Sequence, residues 1–514
     1  MKIVGKLVKK TVELGKKKNL RKSFTFEDQK EVLWNLLEKC RRTNFGKYHS
    51  FGEVLKSEQF IDVFQKHVPI VDYDQFYKNW LHRTIDGVKD HTWPGQIKYF
   101  ALSSGTTGSP SKRIPVSPEM IYSFQKTSIN QITTLVDLDL PDSFFQKSIL
   151  TVGGSTQLMK IENHIEGDLS GILKKHTNWI ASPFTRPGGK ISRIKDWNKK
   201  MEIMVEEAPK WDIGILAGVP SWCIMLIEKI VERYQLNSIH DIWPNFRVYV
   251  HGGVFIQPYL KRLERTVSQK VYLLNTYLAS EGYIAYQTEE TKEGMQMLLN
   301  NGIFYEFIPF TEEFFNHDGS LKDNHRAYTL EEVEKGIDYA LVLSTNAGLW
   351  RYLIGDLIQF TNVECKEIKI SGRIKQYLSL VGEHLSLDNI NEAIMSVSND
   401  MNIEIQEYGI YADPEEQHHV WSFGIDQECD KQEVIARIDK KLAELNDDYA
   451  SVRKYNLGAP VIDVYPTSYF YDYMQAIGKL GSQNKFPRVM NQHQHNQWKL
   501  YLCERGLHTT GSTM

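Results

Sequence analysis

Six consecutive residues, Ser103-Ser104-Gly105-Thr106-Thr107-Gly108, follow an apolar, aromatic run within the segment KYFALSSGTTGSPSKRIPVS. Two glycines and four hydroxyl side chains make a poor helix interior and a poor core strand. They suit an anion. Glycine lets backbone N–H groups close on a phosphate, and the hydroxyls add short donors. Lys112, four residues on, supplies a mobile positive charge. The stretch is not a P-loop, which needs Gly, four residues, then Gly-Lys-Ser/Thr. Counted from Gly105, the second glycine position holds Pro110. The stretch is therefore read as a phosphate cradle of another class, against the plainer alternative of a surface turn.

Three further clusters carry chemistry. Tyr277-Leu278-Ala279-Ser280-Glu281 closes the apolar run VYLLNT. A tyrosine at a strand end can lay its ring on a flat base, and an acid four residues later can hold a magnesium–phosphate unit. The plainer alternative for Glu281 is an acid at a helix N-terminus. Asp356 follows Tyr352-Leu353-Ile354-Gly355, and a carboxylate behind glycine suits the two hydroxyls of a ribose. A turn aspartate is the competing explanation. Gly372-Arg373 and Gly382 flank a short apolar segment, as at an interdomain hinge. The tract NQHQHNQW (491–498) has two histidines without carboxylate or cysteine neighbours and reads as polar surface.

The elements that must position these clusters alternate. SILTVGG (148–154), DIGILAG (212–218), FRVYVHGG (246–253) and VYLLNTY (271–277) read as strands buried on both faces, with a helix at 221–236 between two of them. That alternation predicts a parallel α/β sheet, with ligands beyond the C-terminal strand ends. GIFYEFIPF (302–310) and DYALVLSTN (338–346) are more aromatic and read as antiparallel additions. Beyond Gly372 the pattern becomes that of a small α+β unit. Residues 27–42 form an amphipathic helix. Val219, Trp222 and Cys223, where a helix opens after a strand near the predicted site, are candidate walls of a substrate pocket, with helix–sheet packing as the alternative.

The chain has 514 residues, a formal net charge of −3, 41% apolar and 24% charged residues. That length predicts at least two domains, and the charge gives no bulk reason to bind nucleic acid. No apolar run reaches the length of a membrane span. Five scattered cysteines without a C-x-x-C pair argue against a disulfide framework and a zinc site, and point to a reducing, cytoplasmic setting. The first 22 residues carry nine Lys/Arg against Glu13. They read as a helix docked on its own domain, the alternative being weak contact with an anionic membrane surface. Two domains of mild net charge are compatible with a monomer.

Taken in order, these motifs resemble the adenylate-forming superfamily of acyl-CoA synthetases, adenylation domains and luciferases. Within it, the chain is most similar to the auxin-responsive acyl acid–amido synthetases, the Gretchen Hagen family. Gly348-Leu349-Trp350-Arg351-Tyr352-Leu353-Ile354-Gly355-Asp356, Tyr277–Glu281, Tyr305-Glu306-Phe307-Ile308-Pro309 and Lys485-Phe486-Pro487-Arg488 each resemble a segment of that family. The resemblance implies a large N-terminal α/β adenylate-forming domain with an antiparallel portion (1–370), hinged to a small mobile α+β domain (371–514).

It also implies ATP, Mg2+, a small carboxylic acid and an amino acid as the bound species. The opening loop would hold the β,γ-phosphates, and Tyr277 with the backbone of His251-Gly252-Gly253 would bound the adenine. Ser280 and Glu281 would sit at the α-phosphate and magnesium, Asp356 would hold the ribose, and Arg373 would also belong to the nucleotide-binding set. Lys485 would balance charge building on the α-phosphate. Three features depart from the superfamily pattern. Ser111 lengthens the spacing before Lys112, Leu353 replaces an arginine, and Ser379 stands where CoA ligases carry a lysine. Three functions remain in play: an acid–amino acid ligase, an acyl- or aryl-CoA ligase sharing its first step, and a nucleotide-binding protein without catalysis.

Overall fold

The computed structural model describes residues 9–10, 13, 25–103, 112–176, 182–316, 319–323, 325–374, 378, 380–381, 383, 385–481 and 485–507. Most of the basic N-terminus, Ser104–Gly108, Ser379 and Gly382 lie outside these residues. The expectations placed on them are not taken further from structure.

The strands in chain order are β1 (Tyr99–Ser103), β2 (Lys112–Val116), β3 (Ser148–Val152), β4 (Met159–Lys160), β5 (Ile165–Gly167), β6 (Thr185–Arg186), β7 (Ile213–Gly218), β8 (Val248–Gly252), β9 (Tyr272–Ala279) and β10 (Gly282–Tyr286). They continue with β11 (Met295–Met297), β12 (Ile303–Pro309), β13 (Asp338–Thr345), β14 (Tyr352–Asn362), β15 (Glu367–Arg373), β16 (Glu407–Asp413), β17 (His418–Gly424), β18 (Val461–Tyr465) and β19 (Val489–Met490). An eleven-stranded sheet runs β12-β13-β14-β15-β11-β10-β9-β8-β7-β3-β6. Its β6-β3-β7-β8-β9 half is parallel, and every pair from β9–β10 to β12–β13 is antiparallel. The parallel strands and aromatic antiparallel additions expected from sequence therefore join into one sheet, through β9.

Helices Trp197–Glu207, Pro220–Arg233 and Gln257–Thr266 connect the parallel strands. Their apolar faces pack with Leu216 and Tyr249 in one core. The opposite face carries Leu135, Phe144, Ile215 and Val248. A second sheet, β2-β1-β5-β4, stands apart from the first, and a third, β18-β17-β16-β19, holds the C-terminal residues. The helix Phe26–Cys40 buries Leu33, Leu36 and Leu37. Its Gln29 amide is satisfied by the carbonyls of Leu299 and Ile303 and by the N–H of Tyr305. The tract 491–498 departs from the sequence expectation. Most of it lies in the helix Gln492–Cys503, which buries His495 and Trp498. His495 stacks on Tyr411 at 4.1 Å, and burial lowers its pKa to about 4.

Candidate active site

One cleft of about 2470 Å3 gathers the functional candidates at the C-terminal ends of the parallel strands. Ser103 and Lys112, the flanks of the expected phosphate cradle, are the last pair of the β1–β2 ladder, and both line the cleft. The Lys112 ammonium lies 5.2 Å from the Tyr73 ring centroid. Its charge acts on Glu281.

Ser280 and Glu281 form the two-residue turn between β9 and β10, closed by the Ala279–Gly282 pair. Glu281 is thus in a tight hairpin, not at a helix N-terminus. It is buried, and desolvation raises its pKa; Lys112 opposes that shift and Asp356 adds to it. A buried carboxylate facing a cleft suits Mg2+ completed by phosphate oxygens. No group of three or more potential metal ligands occurs among the described residues.

Asp356 is not on a turn. Opposite Ala340–Val342, strand β14 takes extra residues between Leu357 and Leu353. This bulge, with Gly355 at φ +91°, re-aims the aspartate toward the cleft. The carboxylate accepts a 2.6 Å bond from the Tyr277 hydroxyl and a 2.7 Å bond from Arg373 Nε. Arg373 is its direct cross-strand partner on β15. Tyr277, Asp356 and Arg373 are therefore one hydrogen-bonded unit, with the Tyr277 ring packed in the core beneath it.

Gly252 ends β8 beside β9. A Cβ there would lie 2.4 Å from the Thr276 carbonyl oxygen, so no side chain fits without moving backbone. Gly253 follows at φ +82°. Its carbonyl accepts a hydrogen bond from Lys485, which approaches from the C-terminal part of the chain. Desolvation lowers the Lys485 pKa to about 7, helped by the Arg373 cation and opposed by Asp356. Neighbouring His251 is buried with its pKa lowered to about 4 by desolvation.

The segment bearing Lys485 is fastened by a polar seam. Glu407, at the start of β16, pairs with Arg488 at 2.7 Å. It accepts bonds from the hydroxyls of Tyr259 (3.0 Å) and Tyr471 (3.3 Å). Tyr259 belongs to the helix Gln257–Thr266 that follows Gly253. The seam therefore joins the two parts of the chain that Lys485 bridges. A Cβ on Gly481 would meet the Trp197 ring, so the backbone at Gly481 packs directly on the helix Trp197–Glu207.

Of the expected pocket walls, Val219 lines the cleft, but Trp222 and Cys223 do not. Both are buried in the helix–sheet core. The Cys223 sulfur sits where Gly218 leaves room against β7, and the Trp222 ring meets Trp197 at 5.2 Å and Tyr471 at 6.0 Å. The sequence motif around Glu306 and Arg351 is also structural. The Arg351 guanidinium bonds both Glu306 oxygens and the carbonyls of Gln65 and Val68, anchoring the entry to β14.

Two cleft residues had no sequence signal, because each is an ordinary lysine in a helix. Lys174 donates to Thr151 Oγ1 at 3.1 Å and to the Arg186 carbonyl at 3.4 Å. Lys200 donates to the carbonyls of Gly153 and Gly154 at 2.6 and 3.0 Å.

Residues 25–203, 296–373 and 388–494 match the GH3 family N-terminal, central and C-terminal domains. The chain belongs to the GH3 family. The indole-3-acetic acid-amido synthetase GH3.4 of Arabidopsis thaliana is 27% identical over 454 residues, covering 75% of this chain and 74% of that relative. The jasmonoyl-L-amino acid synthetase JAR4 of Nicotiana attenuata is 26% identical over 273 residues, covering 49% and 45%. Among solved structures, the GH3.15 acyl acid amido synthetase superposes with a TM-score of 0.75 at 17% identity, over 97% of this chain and 96% of that one. A 2-hydroxyisobutyryl-CoA ligase superposes with a TM-score of 0.60 at 14% identity, over 93% of each. This GH3 chain thus has the fold of the adenylate-forming ligases. None of its helices, among the described residues, is long and apolar enough to cross a membrane.

Proposed function

We propose that the protein is an ATP-dependent acid–amino acid ligase that works in two steps through an acyl-adenylate. The observation that carries the reading is the meeting of Lys485 with the Gly253 loop, beside Asp356 and Arg373 in one cleft. The named relatives, which are amido synthetases, support the amide as product.

In the first step a substrate carboxylate oxygen attacks the α-phosphorus of ATP. A new P–O bond forms, the α–β bridging bond breaks, and pyrophosphate leaves. Asp356, held by Tyr277 and Arg373, accepts the ribose hydroxyls. The glycine backbone at 252–253 leaves a flat edge for the adenine. The Ser103 and Lys112 flanks face the departing phosphates. Lys485 donates to the α-phosphate oxygens, where charge builds up, and exchanges its bond to the Gly253 carbonyl for them. Its lowered pKa in the empty cleft rises once the phosphates stand beside it. Glu281 would be the protein carboxylate for a bound Mg2+, which would supply further neutralisation of the phosphates. In the second step an amino acid's free amine attacks the acyl carbon, loses a proton, and expels AMP. No side-chain nucleophile is needed.

The division into residues 1–370 and 371–514 is part of this proposal. The C-terminal unit carries Lys485 in for adenylation and withdraws it to admit the amine.

Carboxylate-dependent ATP–pyrophosphate exchange, run over aryl, indolyl and fatty acids, tests the first step. Active acids are then supplied with amino acids or with CoA. Amide formation is the expected outcome; thioester formation without amide overturns the reading.

A further inference from the structure

The cleft has a second charged end. Three strand spacings of about 4.8 Å separate β9, which leads into the Ser280–Glu281 turn, from β3, so this end lies roughly 14 Å along the sheet from the nucleotide seat. Phe124, Ile129, Ile132 and Val250 line the cleft, interleaved with Ser128 and Gln131. At β3 the lining also carries cations. Lys174 and Lys200 both line the cleft there. Gln125 ties the helix Pro118–Thr134 to this corner through a 2.7 Å bond to the His176 carbonyl.

Neither ammonium is held by a carboxylate in a bond among the described residues. Lys174 spends two of its three donors on a hydroxyl and a carbonyl, and Lys200 two on carbonyls. Asp168 acts on Lys200, while the charge felt by Lys174 is that of Lys200 itself. Desolvation lowers Lys174 to about 7 and Lys200 to about 8, the Asp168 carboxylate opposing the shift on Lys200. Two desolvated lysines at the end of a cleft lined in part by apolar side chains suit a molecule with an anionic tip and a partly apolar body.

We propose that Lys174, with Thr151 beside it and Lys200 behind, binds a substrate carboxylate at the end of the cleft remote from the nucleotide. The identity of that carboxylate rests on the ligase reading above. It is either a second carboxylate at the far end of the acid, or the α-carboxylate of the acceptor amino acid.

The test uses Lys174→Met and, as the charge-keeping control, Lys174→Arg. Calorimetric titration with hexanoate and adipate needs no catalysis. Single-turnover transfer from preformed acyl-adenylate to alanine or ethylamine addresses the acceptor. If the carboxylate belongs to the acid, the adipate-over-hexanoate preference falls at least tenfold in Lys174→Met and is kept in Lys174→Arg. If it belongs to the acceptor, the alanine-over-ethylamine preference falls instead. A wild type with neither preference, or variants that keep both within twofold, overturns the site. Absence of pyrophosphate exchange with every acid would overturn the ligase reading alone, and calorimetric titration of wild type and Lys174→Met with adipate against hexanoate and with alanine against ethylamine would still decide the site.

Discussion

Replacing Tyr259 with phenylalanine deletes one oxygen at the seam between the helix Gln257–Thr266 and strand β16. That oxygen donates to Glu407 at 3.0 Å and lies 3.4 Å from Arg488. A hydrogen bond to a charged acceptor contributes about 1.5–3 kcal/mol. Glu407 keeps Arg488 and Tyr471, so the carboxylate is not orphaned and the cost lies near the lower figure. About 1.4 kcal/mol is tenfold in an equilibrium, so the seam should open roughly ten times more readily. The ring stays packed, so the melting temperature should move little.

Glu407→Gln removes the counter-charge of Arg488 and should cost about 3–5 kcal/mol at the same seam. On the proposed mechanism, pyrophosphate exchange reports the half-reaction that needs Lys485 docked, and small-angle scattering reports docking itself. Both variants should expand the particle and slow exchange. The double variant should fall well short of the summed effects, because Tyr259 and Glu407 share one bond. Additive losses, or exchange lost with no change in scattering, would refute the role given to the seam.

Lys485→Ala should lower the rate of exchange by about 10²–10³-fold while changing ATP affinity far less; equal losses in both would remove its transition-state role. Docking of the empty protein should strengthen as pH rises from about 7 toward 10.5, because the docked lysine, with its pKa near 7, holds fewer protons than the undocked one; scattering that is flat with pH, or tightens as pH falls, would contradict this. Gly252→Ala should cost about 1–3 kcal/mol through overpacking against Thr276, together with weaker ATP binding, seen by thermal unfolding with and without nucleotide. Glu306→Gln should destabilise the fold by about 3–5 kcal/mol by leaving buried Arg351 uncompensated, read by denaturant unfolding.

The strands were legible because each feature that marks them is local. β3, β7, β8 and β9 are short apolar runs, three of them meeting glycine at the C-terminal end, and the helix Pro220–Arg233 has its own period. The candidate residues around Asp356 and Glu281 were legible as motifs, but their settings were not. The bulge that aims Asp356 exists only in register against β13, a pairing between distant segments. Trp222 and Cys223 show why a helix near a site is not a pocket wall: the period tells that a face is buried, not against what. Lys174 in ILKKH looks like a solvated helix end. His495 reads as surface in the sequence because Tyr411, the ring it stacks on, lies far away along the chain. In each case the missing information is a contact between separate elements, which composition and spacing do not encode.

The flanks of the proposed phosphate cradle belong to the four-stranded sheet, whereas Asp356, Arg373 and Glu281 belong to the eleven-stranded one. A nucleotide spanning them would be a strut between two bodies that fold around separate hydrogen-bond ladders. Anything that lets those sheets slide, however far from the cleft, will register first as a loss of grip on ATP. Nucleotide affinity in this protein is therefore also a gauge of how firmly its two N-terminal layers are seated.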